Sequence, residues 1–220
     1  MSLNHELDNT LNKIVMGTCI FSACTENYLN RAISLYNSIT KYNKDIIFYI
    51  ILINISKDNF FENNKNKKLI IKYDNVNLPI DKIAAYASCL RASFFPKLNM
   101  FKYVFWMDAD TIIRGNLNAL FNILNNHDLT IYYHQNKEKT KDKYKTGIIG
   151  VKISNKIMNF LNDWNNSLFK DGSDKCKWYD DQKTIRNIIE KHKDLIKINN
   201  LEKKYIDWKF NEKSIIWVGK

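Results

Sequence analysis

Tyr103-Val104-Phe105-Trp106-Met107-Asp108-Ala109-Asp110-Thr111-Ile112-Ile113 is the stretch on which the fold turns. An aromatic and β-branched apolar run ends in two acids with one residue between them. A run this short reads as a buried strand. In open α/β sheets, ligands bind in the crevice outside the carboxyl ends of the strands. Asp108 and Asp110 stand at that end. If the backbone stays extended there, residues two apart face the same side. Two carboxylates on one side, beside a hydrophobic sheet, need something positive between them. A divalent cation fits, because hard cations prefer carboxylate oxygens. Asp-x-Asp alone also occurs in solvated turns. The strand before it and Arg114-Gly115-Asn116 after it favour the site reading.

Toward the amino end, residues 13–22 read as a first strand and 22–27 as a polar turn. Thr25 is a suitable helix N-cap, with Glu26 at the positive end of the helix that follows. Leu29, Ala32, Ile33, Tyr36 and Ile39 repeat at helical spacing to about Tyr42. Residues 45–55 are nearly all apolar, a strand covered on both faces. Strand, helix and strand make a βαβ unit with a right-handed crossover. A short helix and loop (57–68), a strand (69–73) and a helix carrying Arg91 (80–95) follow. Pro96 breaks that helix.

Toward the carboxyl end, the pattern predicts helices over 117–124, 155–169 and 180–192, and strands over 128–134 and 146–151. The last strand contains Gly147 and Gly150, which mark a close approach of backbone or ligand. Residues 136–145 and 171–177 read as loops. The tail sets Tyr205, Trp208, Phe210 and Trp217 among lysines and is expected to pack as a C-terminal segment. A dock for membrane or lipid is the alternative. Neither repeats nor a Pro/Gly-rich linker interrupt the pattern, so one domain is expected.

A chain of 220 residues with 45% hydrophobic content can bury one sizeable core. Its net charge of +11 suggests acidic partners such as nucleotide phosphates or anionic lipid. Nucleic acid is the least supported partner, because no basic helix interleaved with aromatics stands out. Heavy use of Lys, Asn and Ile is also what an AT-rich genome produces, which weakens a functional reading of the charge. Cys19, Cys24, Cys89 and Cys176 fit no zinc spacing and read as buried free thiols of a reducing compartment. Residues 1–12 lack the apolar core of a signal peptide, and the longest apolar run, 46–53, is too short to span a bilayer. The expectation is a cytoplasmic protein, with peripheral membrane contact left open.

In this order the motifs resemble a GT-A-fold nucleotide-sugar glycosyltransferase of family 8, the glycogenin and lipopolysaccharide galactosyltransferase group. Phe105-Trp106-Met107-Asp108-Ala109-Asp110-Thr111 is similar to that family's YLDADT core. The first strand, Ala23-Cys24-Thr25-Glu26-Asn27-Tyr28-Leu29 and the helix with Ser34-Leu35-Tyr36-Asn37-Ser38-Ile39 resemble its nucleotide-binding start. Arg91 to Leu98 resembles its Arg-then-Pro-Leu segment, Thr146-Gly147-Ile148-Ile149 its Asn-Ala-Gly-Val strand, and Asp181-Gln182 its Asp-Gln helix start. The likeness spans about residues 14–190.

The resemblance implies a mixed, mostly parallel sheet flanked by helices. Residues 1–12 become an extension and 13–220 the domain, with a nucleotide-binding part over about 13–115 and an acceptor part over about 116–220. It implies that Asp108 and Asp110 hold Mn2+ or Mg2+ against the donor phosphates. Ser22, Ala23, Cys24, Tyr28, Arg91 and Ala109 then line the donor site, and Asp181 and Gln182 face the sugar and the reacting carbon. The implied reaction moves a hexose from a nucleotide-diphosphate sugar, UDP-linked, to a glycan or glycolipid acceptor with retention, in surface or cell-envelope polysaccharide synthesis. Two departures stand out. The family's late His-x-x-Gly-x-x-Lys supplies a third metal ligand and a diphosphate lysine, but here Ile216 takes the histidine position, and Lys220 is the candidate lysine. The strand's Asn is missing, with Lys145 near its place. His134, at a strand end, is a candidate substitute ligand or acceptor contact.

Two other classes stay open at this level. A haloacid dehalogenase-type phosphatase also follows an apolar strand with Asp-x-Asp-x-Thr, with the first Asp as nucleophile and the second as acid/base. That motif opens its domain, whereas here a βαβ unit comes first. A catalytically silent module binding a sugar nucleotide is the second, motivated by the missing histidine.

Overall fold

The strands are β1 (Met16–Cys24), β2 (Ile47–Ile53), β3 (Leu69–Asp74), β4 (Phe101–Met107), β5 (Thr111–Ile113), β6 (Leu129–Tyr133), β7 (Tyr144–Lys152), β8 (Ile198–Asn200), β9 (Ile206–Asp207) and β10 (Ile216–Val218). The helices are α1 (Leu29–Tyr42), α2 (Asn59–Asn63), α3 (Ile80–Phe94), α4 (Asn118–Asn126), α5 (Asn155–Phe169) and α6 (Asp180–His192). They come from a computed structural model describing residues 16–134, 143–177 and 179–219.

A seven-stranded sheet runs β3-β2-β1-β4-β7-β6-β8. Its first four strands are parallel, as expected for nearly continuous apolar runs joined by helices. β7 is antiparallel to both β4 and β6, and β8 runs parallel to β6. The carboxyl ends of β1 and β4 and the amino end of β7 therefore meet at one edge of the sheet.

Both faces are covered. One core joins Ile20 and Cys24 of β1 to Leu35 and Ile39 of α1, Phe61 of α2 and Leu120 and Leu124 of α4. The other joins Cys19, Phe21 and Ala23 to Leu90 of α3, Phe160 and Trp164 of α5 and Ile185 of α6. The alternation of β1 between these cores is the period of two that an extended strand imposes. Gly150 sits where a methyl would run into the Phe105 ring and Thr130 of the neighbouring strands. Cys19, Cys24, Cys89 and Cys176 are free and buried. Among the described residues, no helix is long and apolar enough to cross a membrane.

A second, three-stranded sheet of β5, β10 and β9 folds the C-terminal segment back onto the Asp108–Asp110 region. Its strands are two or three residues long, too short to show a period, and the sequence pattern did not separate them. Tyr205 and Trp208 pack against the first core, while Phe210 stays 57% exposed.

Two local expectations need correction. Asp108 and Asp110 do not lie on extended backbone. β4 ends at Met107, and Asp108 to Thr111 form a tight turn closed by the Thr111 amide donating to the Asp108 carbonyl at 3.0 Å. Thr25 makes no side-chain cap; its carbonyl accepts from the Tyr28 amide at 2.9 Å, closing a 3-10 turn over Glu26–Tyr28 ahead of α1.

Candidate active site

At the shared edge a cavity of about 480 Å³ opens. Ala23 and Cys24 reach it from the end of β1, Tyr28 from the 3-10 turn that follows, and Arg91 and Ser88 from α3. Asp108, Ala109 and Asp110 come from the turn after β4, Thr146 and Gly147 from β7, Asp181 and Gln182 from the first turn of α6. Of the residues assigned from sequence, nine thus meet in one place. Ser22 does not. It is fully buried in β1 with Ile20 and Cys24 on the α1 side, and its hydroxyl faces no partner among the described residues. Lys220 lies outside the described residues. His134 is not a lining residue; its ring packs edge-to-face on Tyr132, centroids 5.2 Å apart. Ile216, at the family's histidine position, is completely buried in the first core.

Arg91 is the hub. It is 3% exposed and stacks on the Trp106 ring, 4.6 Å from its centroid. Its Nε donates to the Ser88 carbonyl at 2.6 Å and its Nη1 to the Thr146 carbonyl. Nη2 sits 3.2 Å from Asp108 Oδ1, and Nε lies 3.7 Å from Asp181 Oδ2. A planar guanidinium fork satisfies several acceptors that a lysine cannot. Asp108 Oδ1 also accepts from the Trp106 indole at 2.8 Å. Its other oxygen, Oδ2, faces Gly147, where an added methyl would come within 3.0 Å. The glycine thus keeps one carboxylate oxygen accessible while the other is anchored.

Asp110 is fixed through its backbone, whose carbonyl accepts from the Gly219 amide at 3.0 Å. Its Oδ2 lies 3.7 Å from Arg31, which in turn covers the Tyr28 ring. Burial, then the neighbouring Asp108 charge, push the Asp110 carboxyl up to about 6, with Arg31 opposing. Asp181, 2% exposed, is also raised by burial, with Arg91 and the Thr146 hydroxyl, donating at 2.6 Å, pulling the other way. Gln182 Oε1 is buried and has no hydrogen-bond partner among the described residues. A buried acceptor left open at a cavity wall is costly unless a ligand completes it.

The donor set suits a hard cation. Asp108 and Asp110 offer carboxylate oxygens from one turn, and their mutual repulsion is what a divalent charge relieves. Among the described residues no cluster of three or more metal-binding side chains occurs. Such an ion would keep most of its positions for water and ligand phosphate, as Mg2+ commonly does.

Sequence reading had not picked out Arg31, Ser88, Tyr179 or Trp208 as site residues. Tyr179, a lining residue, has φ +71°, a left-handed backbone rare for an aromatic, just before α6. Strain of this kind costs about 1–3 kcal/mol and clusters at functional sites. No sequence signal announces it.

No protein-family model matches the chain, and no curated protein matches it in sequence. Solved structures do match. The apo structure of the bifunctional glycosyltransferase WbbM aligns with a TM-score of 0.62 at 13% identity, over 95% of this chain and 46% of that one. The glycosyltransferase GlyE of Streptococcus pneumoniae TIGR4 aligns with a TM-score of 0.59 at 13% identity, over 86% of this chain and 46% of that one. This chain has a glycosyltransferase fold. It spans under half the length of either relative. The phosphatase alternative loses its ground: the Asp pair follows the fourth strand of this fold, not the first.

Proposed function

We propose that the protein is a metal-dependent glycosyltransferase that moves a hexose from a nucleotide-diphosphate sugar, UDP-linked, to a glycan or glycolipid. The observation that carries this reading is the convergence of Asp108, Asp110, Arg91, Asp181 and Gln182 on one cavity at the ligand-binding edge of such a fold. Family 8, with retention of configuration, is the group whose motifs it most resembles. Tyr28, 41% exposed at the cavity wall, offers a stacking face for the base.

Mn2+ or Mg2+ on Asp108 and Asp110 would supply Lewis-acid stabilisation of the departing diphosphate. The C1–O bond of the donor breaks with its electron pair leaving on phosphate oxygen. The acceptor hydroxyl oxygen bonds to C1, and its proton ends on the released nucleoside diphosphate or in water. Arg31, 46% exposed in its side chain, is placed to meet diphosphate charge. Arg91 holds Asp108 and Asp181 in position, and Gln182 and Asp181 face the sugar. Exposed Phe210, next to Lys209, is where peripheral contact with an anionic membrane would fall.

The test is a thermal-shift screen of nucleotides and nucleotide sugars with Mn2+, Mg2+ or EDTA. A metal-dependent rise for one nucleotide diphosphate class, absent in Asp108→Ala, is expected. A silent binding module gives the same rise with neither donor hydrolysis nor transfer. No rise with any nucleotide sinks the donor-site assignment.

A further inference from the structure

We infer that the wall of the cavity on the far side of the Asp108–Asp110 turn is an acceptor subsite built on Trp208, and that it takes a pyranoside whose apolar C–H face packs on the indole. This rests on the glycosyl-transfer reading and names the acceptor's chemical class and its anchor.

Topology separates the two ends of the cavity. In the sheet, β1 lies on one side of β4, and β7 and β6 on the other. The residues assigned to the nucleotide stand at the end of β1, Ala23 and Cys24, and in the 3-10 turn after it, Tyr28. Trp208 also lines the cavity but belongs to the opposite end. Its ring packs against Tyr132 of β6 with centroids 4.9 Å apart, and Tyr132 pairs with Lys145 of β7, itself a lining residue. Asp181 and Gln182 enter the cavity from α6, and Asp181 is tied to β7 by the Thr146 hydroxyl. By the strand order, a donor with its base at β1 and its diphosphate at the turn after β4 would extend its sugar toward β7 and β6, the side on which Trp208 lies.

Trp208 is held as a binding wall is held. Tyr132 supports the indole edge-to-face and is itself backed by His134. The turn that follows is organised by Asp207, whose carboxylate accepts from the Lys209 amide at 2.7 Å, the Asn211 amide at 2.9 Å and the Ser214 hydroxyl. Asp207 also pairs with Arg114 at 3.1 Å. An anchor fixed by its own supporting contacts loses little freedom on binding. A half-buried aromatic at the wall of a cavity is also the surface that the C–H face of a hexose covers. Lys145, paired across the ladder with the Tyr132 on which the indole packs, brings a polar group to this end of the cavity, which suits hydroxyl groups better than an aliphatic chain.

The test compares wild type with Trp208→Ala and Trp208→Phe. Octyl α- and β-D-glucopyranosides and galactopyranosides serve as acceptors, with UDP-glucose or UDP-galactose and Mn2+. Trp208→Ala is expected to raise the acceptor KM by roughly tenfold. The donor KM and the thermal shift caused by UDP with Mn2+ should change by less than about twofold, and Trp208→Phe should recover most of the acceptor KM. If Trp208→Ala fails to fold, Trp208→Phe against Trp208→Leu carries the same comparison. An equal loss on donor and acceptor makes Trp208 a structural wall and overturns the inference, as does an unchanged acceptor KM. Saturation-transfer NMR of the four glycosides with UDP and Mn2+ present covers a wild type that shows no turnover. Binding lost in Trp208→Ala supports the subsite, and no binding to wild type overturns it. If UDP itself gives no shift, the glycosyl-transfer reading falls as well; if it does, only the Trp208 assignment is at stake.

Discussion

Asp108 and Asp110 occupy one turn, yet their surroundings differ. Asp108 has an oxygen anchored by Trp106 and Arg91. Asp110 is pushed up to about 6 from an ordinary 3.8 by burial and by Asp108, with Arg31 at 3.7 Å the nearest relief. Between about pH 4 and pH 6 the folded protein keeps a proton on Asp110 that the unfolded chain has lost, so this group's contribution to stability falls as pH rises. Above about pH 6 the deficit is complete. In EDTA at pH 7.5, Asp110→Asn is therefore expected to raise Tm by about 2–4 °C, and the gain should vanish near pH 4. The same variant should lose the Mn2+-dependent nucleotide shift. A lower Tm at pH 7.5 would mean that Asp110 is stabilising as it stands and that no cation is wanted there. Arg91 makes the opposite case. Its removal in Arg91→Met leaves the nearly buried Asp181 without its cation, a loss on the order of 3–5 kcal/mol. Denaturant unfolding reads this directly, and a loss of under about 1 kcal/mol would show that the guanidinium is dispensable.

At the scale of elements, the legible parts were those with a period. Asn155–Phe169 and Asp180–His192 have the bounds that apolar spacing predicts, because both helices bury one stripe against the sheet. The parallel strands announced themselves as apolar runs for the same reason. The turn carrying Asp108 and Asp110 did not, since local sequence allows an extended end as well as a tight turn, and pairing with the C-terminal segment decides. The two glycines of β7 were legible as places of close approach, but not what approaches them. Gly150→Ala must displace the Phe105 ring and Thr130 inside the sheet, so a loss of about 1–3 kcal/mol is expected from overpacking. A methyl at Gly147 would have as its nearest neighbours Asp108 Oδ2 at 3.0 Å and Val218 at 3.5 Å. Gly147→Ala should keep most of the stability and weaken the Mn2+-dependent nucleotide shift. Equal effects on stability would argue against Gly147 serving the carboxylate. Ile216 tests the family alignment. Although it stands at the histidine position, it is fully buried between Ile113 and Ile206. Ile216→His is expected to cost about 2–5 kcal/mol, by lost packing and an unsatisfied imidazole, with no gain in Mn2+ response. A stronger Mn2+ response would restore the family's third ligand.

At the scale of the molecule, the resemblance implies a nucleotide part over about 13–115 and an acceptor part over about 116–220. The sheet does not follow that division. β4 and β7, one from each part, pair over Tyr103 to Met107 in the middle of the sheet. β5 pairs with β10, and Arg91 of the first part touches Asp181 of the second. The second core likewise mixes Phe21, Leu90 and Trp106 with Phe160, Trp164 and Ile185. Cutting between the parts would expose an edge of β4 and half of that core, a surface that a chain of such size cannot leave in water without aggregating. Unfolding should therefore be a single transition, with calorimetric and van 't Hoff enthalpies in agreement. A fragment ending near residue 115 should fail to fold alone and be recovered only by co-expression with the remainder. Two resolved transitions, or a folded amino-terminal fragment that binds nucleotide, would mean that the Arg91–Asp108–Asp181 contacts join two independent units. In that case Arg91→Met would separate the transitions without lowering the first. If the molecule is one cooperative unit, the same substitution lowers the whole transition together, and nucleotide with Mn2+ protects amides at the start of α6 as strongly as those of the turn after β4.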